Sequence, residues 1–179
     1  EFNTSIGRDP YGENFPAMPP IEALRSLLSG AATRRGDERR SVVAIADVKW
    51  AYFEAEIQRD VCVQIPTEYW GDGVPPGYVV GKLRKCLYGT RDASKGWQAK
   101  VHEVMTELGY AIGKYSPCLT YHRACDTVNL FHGDDLVFAG SARAVKAIIG
   151  ALKTHFQLTV TVVGEHEGPE ARILNRVVQ

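Results

Sequence analysis

Asp47, Asp134 and Asp135 are the residues of this chain whose type and setting could do chemistry. Asp47 closes the apolar run Ser41-Val42-Val43-Ala44-Ile45-Ala46. Asp134-Asp135 follows Gly133 between two further apolar runs, Thr127 to His132 and Leu136 to Gly140. Apolar runs flanking a glycine turn read as a hairpin. Adjacent carboxylates at such a tip repel each other and resist desolvation, so something must offset the cost. A divalent cation does so, and hard oxygen ligands suit magnesium. Antiparallel pairing of the first run with the hairpin would bring all three carboxylates to one sheet edge. There they could hold two magnesium ions about 3.5–4 Å apart, the arrangement of in-line nucleotidyl transfer. The plainer alternative is a solvated Gly-Asp-Asp turn.

The elements that must position these groups are legible from spacing. Ile21, Leu24, Leu27, Leu28 and Ala31 lie on one helical face after Pro19-Pro20. The run Ser41–Asp47 suits a strand buried on both faces. After it, Trp50 and Phe53 are expected to pack against the sheet. Asp60–Ile65 and Tyr78–Leu83 read as short strands around a Gly/Pro loop. Asp92 is the expected N-cap of a helix through Trp97, Val101, Val104, Met105 and Leu108, stopped at Gly109. Leu119–His122 is a strand. Ser141 caps a helix carrying Val145, Ile148, Ile149 and Leu152. Two last strands are expected over Phe156–Val163 and Arg172–Val178.

Composition sets the bounds. The 179 residues fit one domain, and 45% apolar with 23% charged residues is ordinary for a folded chain. No run approaches the ~18 apolar residues of a membrane span. The four cysteines form no C-x-x-C pair, so thiols in a reducing, intracellular setting (cytoplasm, virus-like particle or nucleus) are expected. The chain opens Glu-Phe-Asn without methionine and reads as an excised fragment. Formal charge is zero, with 21 basic and 21 acidic residues. Lys82, Arg84, Lys85, Arg91, Lys95 and Lys100 nevertheless gather in one stretch with Asp92 as its lone acid, a footprint for phosphates.

Taken in order, several stretches resemble the reverse transcriptase of copia-type long-terminal-repeat retrotransposons. They are Ile21-Glu22-Ala23-Leu24-Arg25-Ser26-Leu27-Leu28, Asp47-Val48-Lys49-Trp50-Ala51-Tyr52-Phe53 and Leu83-Arg84-Lys85-Cys86-Leu87-Tyr88-Gly89. Beyond these come Trp97, Ser116-Pro117-Cys118-Leu119, His132-Gly133-Asp134-Asp135 and Ile173-Leu174-Asn175-Arg176-Val177-Val178. The resemblance implies an α+β fold, a polymerase palm-like antiparallel sheet with helices packed on one face and partial fingers. Residues 1–19 form an irregular entry arm and 20–179 the palm. It implies Asp47 and Asp134 as principal metal ligands with Asp135 beside them, the Val48 carbonyl completing the shell, and two Mg2+ ions, with Mn2+ as an alternative. Tyr52 falls at the steric gate that rejects a ribose 2′-hydroxyl. Gly89 and Arg91 fall where template and incoming nucleotide are positioned, and Lys82, Arg84, Lys85 and Lys95 face nucleic acid.

The implied partners are an RNA template, a DNA primer, deoxynucleotides and the remainder of a Pol polyprotein, with no membrane. A homodimer through exposed palm surface is a further expectation. The sequence departs from the family pattern in four places. His132-Gly133 replaces Tyr-Val ahead of the two aspartates, and Asp92 replaces a glutamine, placing a charge that would repel a triphosphate. Ser94 replaces a proline. The upstream fingers segment with its triphosphate-gripping cations is absent, so the fragment alone is expected to be weakly active or inactive. A repurposed palm that only binds nucleic acid, an RNA-dependent RNA polymerase palm and an unrelated magnesium hydrolase are the competing readings. Tyr52 argues against the RNA polymerase, which needs a polar partner for the 2′-hydroxyl.

Overall fold

The apolar run ending at Asp47 is a strand, and what covers its two faces organises the fold. In chain order the elements are α1 (Ile21–Ala32), β1 (Ser41–Val48), β2 (Cys62–Gln64), β3 (Val80–Lys82), α2 (Ala93–Glu107), β4 (Ala111–Ile112) and β5 (Leu119–His122). There follow β6 (Thr127–His132), β7 (Asp135–Ser141), α3 (Ala142–Leu152), β8 (Leu158–Val163), β9 (Ala171–Ile173) and β10 (Arg176–Val178). The structure, a computed structural model, describes residues 17–33, 41–73, 79–164, 167–173 and 176–178. Most of the expected entry arm, the arginine-rich loop 34–40, Tyr78 and Leu174-Asn175 lie outside the described residues.

Six strands form one antiparallel sheet in the order β4-β5-β6-β7-β1-β8. The period of two along β1 divides its side chains between two cores. Val42, Ala44, Ala46 and Val48 join Leu136 and Phe138 against Trp97, Val101 and Val104 of α2 and Val145, Ile148 and Leu152 of α3. Val43 and Ile45 join Val137 and Ala139 against Ala23, Leu24 and Leu27 of α1. The expected layer of helices on one face therefore holds for α2 and α3, and α1 stands on the opposite face. This is why β1 carries no polar face along its middle. Asp47 is next in the row after Ile45, and there the strand becomes exposed.

Local chemistry explains the helix limits. The Pro20 carbonyl accepts the Ala23 N–H at 2.9 Å, so α1 begins after the proline pair. Its buried Leu24 and Leu27 each contribute about 1.5–3 kcal/mol through burial. At the end of α2, Gly109 takes φ +86° and the Tyr110 N–H returns to the Met105 carbonyl at 2.9 Å. Ser141 caps α3, its hydroxyl accepting the Ala144 N–H at 3.3 Å. Ser141→Ala is expected to cost about 1 kcal/mol, read as a lower urea midpoint at unchanged slope.

Three expectations are corrected. The single closing strand is a hairpin of β9 against β10. The two strands around residue 70 are shorter than the alternation implies and, among the described residues, pair only with each other. Asp92 stands at the N-cap position of α2 but caps nothing with its side chain. Its carboxylate instead accepts a hydrogen bond from Arg59 Nη2 at 3.1 Å.

Candidate active site

Register brings the carboxylates together. Asp47 lies directly opposite Asp135 across β1 and β7, and His132 lies opposite Asp135 across the β6–β7 hairpin. The Val48 N–H donates to the Asp134 carbonyl at 3.0 Å, tying the hairpin turn to the end of β1. Gly133 takes φ +60° at the first central position of that turn, where a type II′ hairpin uses glycine. From the core that also holds Val48, the fully buried Trp97 donates its indole N–H to the Gly133 carbonyl at 2.6 Å. The turn carrying Asp134 is therefore held from β1 and from α2.

The electrostatics follow. Burial pushes the Asp135 carboxyl above its ordinary value, and the charges of Asp134 and Asp47 push it further, with His132 opposing. Nδ1 of His132 is buried without a hydrogen-bond partner among the described residues. A buried carboxyl raised by two neighbouring carboxylates is the setting a hard cation relieves. Carboxylate oxygen is the donor type that suits a hard cation. Among the described residues no three His, Cys, Asp or Glu side chains converge on one point.

Beside the carboxylates stands a group of rings. Tyr52 belongs to the 3₁₀ turn Ala51–Glu54, and its ring centroid is 4.5 Å from that of Tyr88. Phe53 meets Tyr88 edge-on at 5.8 Å. Trp50 and Phe53, expected against the sheet, point outward instead, at 62% and 40% exposure. Trp50 adopts φ 55°, and this left-handed residue turns the chain out of β1 before its ring can reach either core. Tyr88 was not singled out from sequence. Its phenol is raised by burial first, then by Asp134, Tyr52 and Asp47, while a hydrogen bond to the Ala51 backbone opposes them.

The cations are distributed differently from the sequence window. Lys82 pairs with Asp60 on the β2–β3 hairpin, and Lys100 with Glu103 one helical turn on. Arg84 is exposed, its carbonyl accepting the Ile57 N–H at 3.2 Å. Lys85, Arg91 and Lys95 line a groove of about 1330 Å3 beside α2, but Glu54, Glu56 and Asp92 line it too. A count along residues 82–100 misses Glu54 and Glu56, because a segment well upstream supplies them. Gly89 takes φ +92° in the turn that also holds Tyr88.

The family model described as reverse transcriptase (RNA-dependent DNA polymerase) matches residues 6–168. The chain belongs to this family. It is also similar to the retrovirus-related Pol polyprotein from transposon TNT 1-94 of Nicotiana tabacum, with 26% identity over 155 residues. That match covers 85% of this chain and 11% of the relative, so the chain spans about a tenth of that polyprotein's length. The copia-type resemblance carried by the motifs and the α+β fold are borne out. Among the described residues of this family member, no helix is long and apolar enough to cross a membrane.

Proposed function

We propose that the chain is the nucleotidyl-transfer part of an RNA-directed DNA polymerase, residues 20–179 forming its palm with partial fingers. One observation carries this reading: Asp47 stands opposite Asp135 at an exposed sheet end, with Asp134 tied to Val48 beside it. Asp47 and Asp134 would be the principal ligands of two magnesium ions, with Asp135 and the Val48 carbonyl supporting them. Bound ions would lower the pKa of a primer 3′-hydroxyl and balance charge developing at the attacked phosphorus. Tyr52 excludes a ribose 2′-hydroxyl by shape. Gly89 and Arg91 border the nucleotide, while Lys82, Arg84, Lys85 and Lys95 track the template–primer backbone. The partners are an RNA template, a DNA primer and the rest of a Pol polyprotein, in an intracellular setting.

Asp92 weighs less against this reading than its type suggests, because Arg59 meets its charge at 3.1 Å. The test is extension of a DNA primer on an RNA template, with Mg2+ or Mn2+ and with dNTPs or NTPs. Slow, metal-dependent extension restricted to dNTPs is expected. Tyr52→Val should raise ribonucleotide use at least about tenfold relative to deoxynucleotides, the scale of a few methylenes in a shaped pocket. Salt-sensitive binding of the duplex without extension under either metal would instead favour a repurposed, nucleic-acid-binding palm.

A further inference from the structure

We propose that Tyr88 is a positioning residue for sugar selection: it clamps the ring of Tyr52, so that deoxynucleotide preference depends on both tyrosines. This rests on the nucleotide-pocket reading above and deepens it.

The clamp is built from backbone upward. The Thr90 N–H returns to the Leu87 carbonyl at 2.9 Å, and Gly89 takes φ +92° at the third position of that turn. A type II turn demands a glycine there, and it leaves the second residue, Tyr88, projecting from a fixed corner. The Thr90 hydroxyl braces the same carbonyl at 2.8 Å. Two strand-like contacts clip this corner to the segment that follows Tyr52: the Cys86 N–H reaches the Ala55 carbonyl at 2.9 Å, and the Ile57 N–H reaches that of Arg84 at 3.2 Å.

Beneath, Tyr52 packs on the small buried cluster Ala55, Cys86 and Ala93. Above, Tyr88 lies 4.5 Å from it at 57° between ring planes, with Phe53 bracing Tyr88 edge-on. Tyr52 thus has a floor of small side chains and a lid of one ring. A steric gate works only while it cannot swing away from the sugar, since shape exclusion requires the excluding group to stay in place. At 48% exposure Tyr88 is not held there for the sake of the core.

The test is equilibrium binding of dATP against ATP to the full chain. The chain is assembled on a recessed primer–template duplex, Ca2+ replaces Mg2+ to prevent turnover, and retention of the duplex is followed by anisotropy. Tyr88→Ala should reduce the dATP:ATP affinity ratio by about two- to tenfold, the scale of a lost aromatic pair. Tyr88→Phe keeps the ring and should retain the wild-type ratio. Tyr52→Val should reduce the ratio most, and adding Tyr88→Ala to it should change nothing more, because Tyr88 acts through Tyr52.

An unchanged ratio in Tyr88→Ala overturns the clamp and leaves the pocket standing. Additive losses in the double variant also overturn it, since Tyr88 would then touch the sugar itself. If the wild type, folded by circular dichroism, binds neither nucleotide, the nucleotide-pocket reading fails and the clamp falls with it.

Discussion

Asp47→Asn and Asp134→Asn are each expected to weaken Mn2+ binding by at least about a hundredfold and to abolish any extension the wild type supports. Mn2+ electron paramagnetic resonance reads the first effect whether or not the chain turns over, and primer extension reads the second. Wild-type affinity in either variant would refute the assignment of the ion site. Asp135→Asn should raise stability. Burial and two neighbouring carboxylates raise the Asp135 carboxyl above its ordinary 3.8, so the folded state takes up that proton more readily than the unfolded chain. The cost of its ionised form is therefore fully present above the raised folded value. Stability recovers as pH falls from there toward 3.8. Asp135→Asn removes this cost, so its gain in Tm should be largest at neutral pH and shrink on acidification.

Trp97→Ala is expected to cost about 3–5 kcal/mol, the largest stability loss of any substitution considered. The ring is 2% exposed and packs edge-on against Phe156 at 5.2 Å, between α2 and the sheet. Trp97→Phe separates packing from tethering. It keeps most of the ring but leaves the Gly133 carbonyl without its indole donor, a loss of about 1–3 kcal/mol if that carbonyl stays dry. Denaturant unfolding measures both variants. The Phe variant should also speed amide exchange at Gly133 and Asp134, because the turn keeps its anchor to β1 and loses the one to α2. Exchange unchanged there would mean that the indole bond holds nothing.

The parts legible in the sequence are those set by local patterns. The spacing of Leu24 and Leu27 marks the buried face of α1, the unbroken run before Asp47 marks a strand covered on both sides, and Ser141 caps α3 as its type and place suggest. The parts not legible depend on distant neighbours. Asp92 looks like a cap because a short acid before a helix usually is one, but Arg59, far upstream, claims its carboxylate. The basic stretch looks segregated until Glu54 and Glu56 arrive from another segment. Trp50 looks like core by hydrophobicity, and a single left-handed residue turns it outward. Tyr88 gave no signal of its own, since nothing in its type or spacing announces a ring 4.5 Å away on a separate turn.

The place of β1 in the sheet also bears on how the chain matures. Both its neighbours, β7 and β8, are made long after it. Although α1, made earlier, can cover one face, the strand must wait without its sheet neighbours until β7 and β8 emerge and a long loop closes. Such a segment courts self-association until its partners emerge. Assembly should therefore be slow, and soluble yield should depend on holding β1 apart from other nascent copies during synthesis.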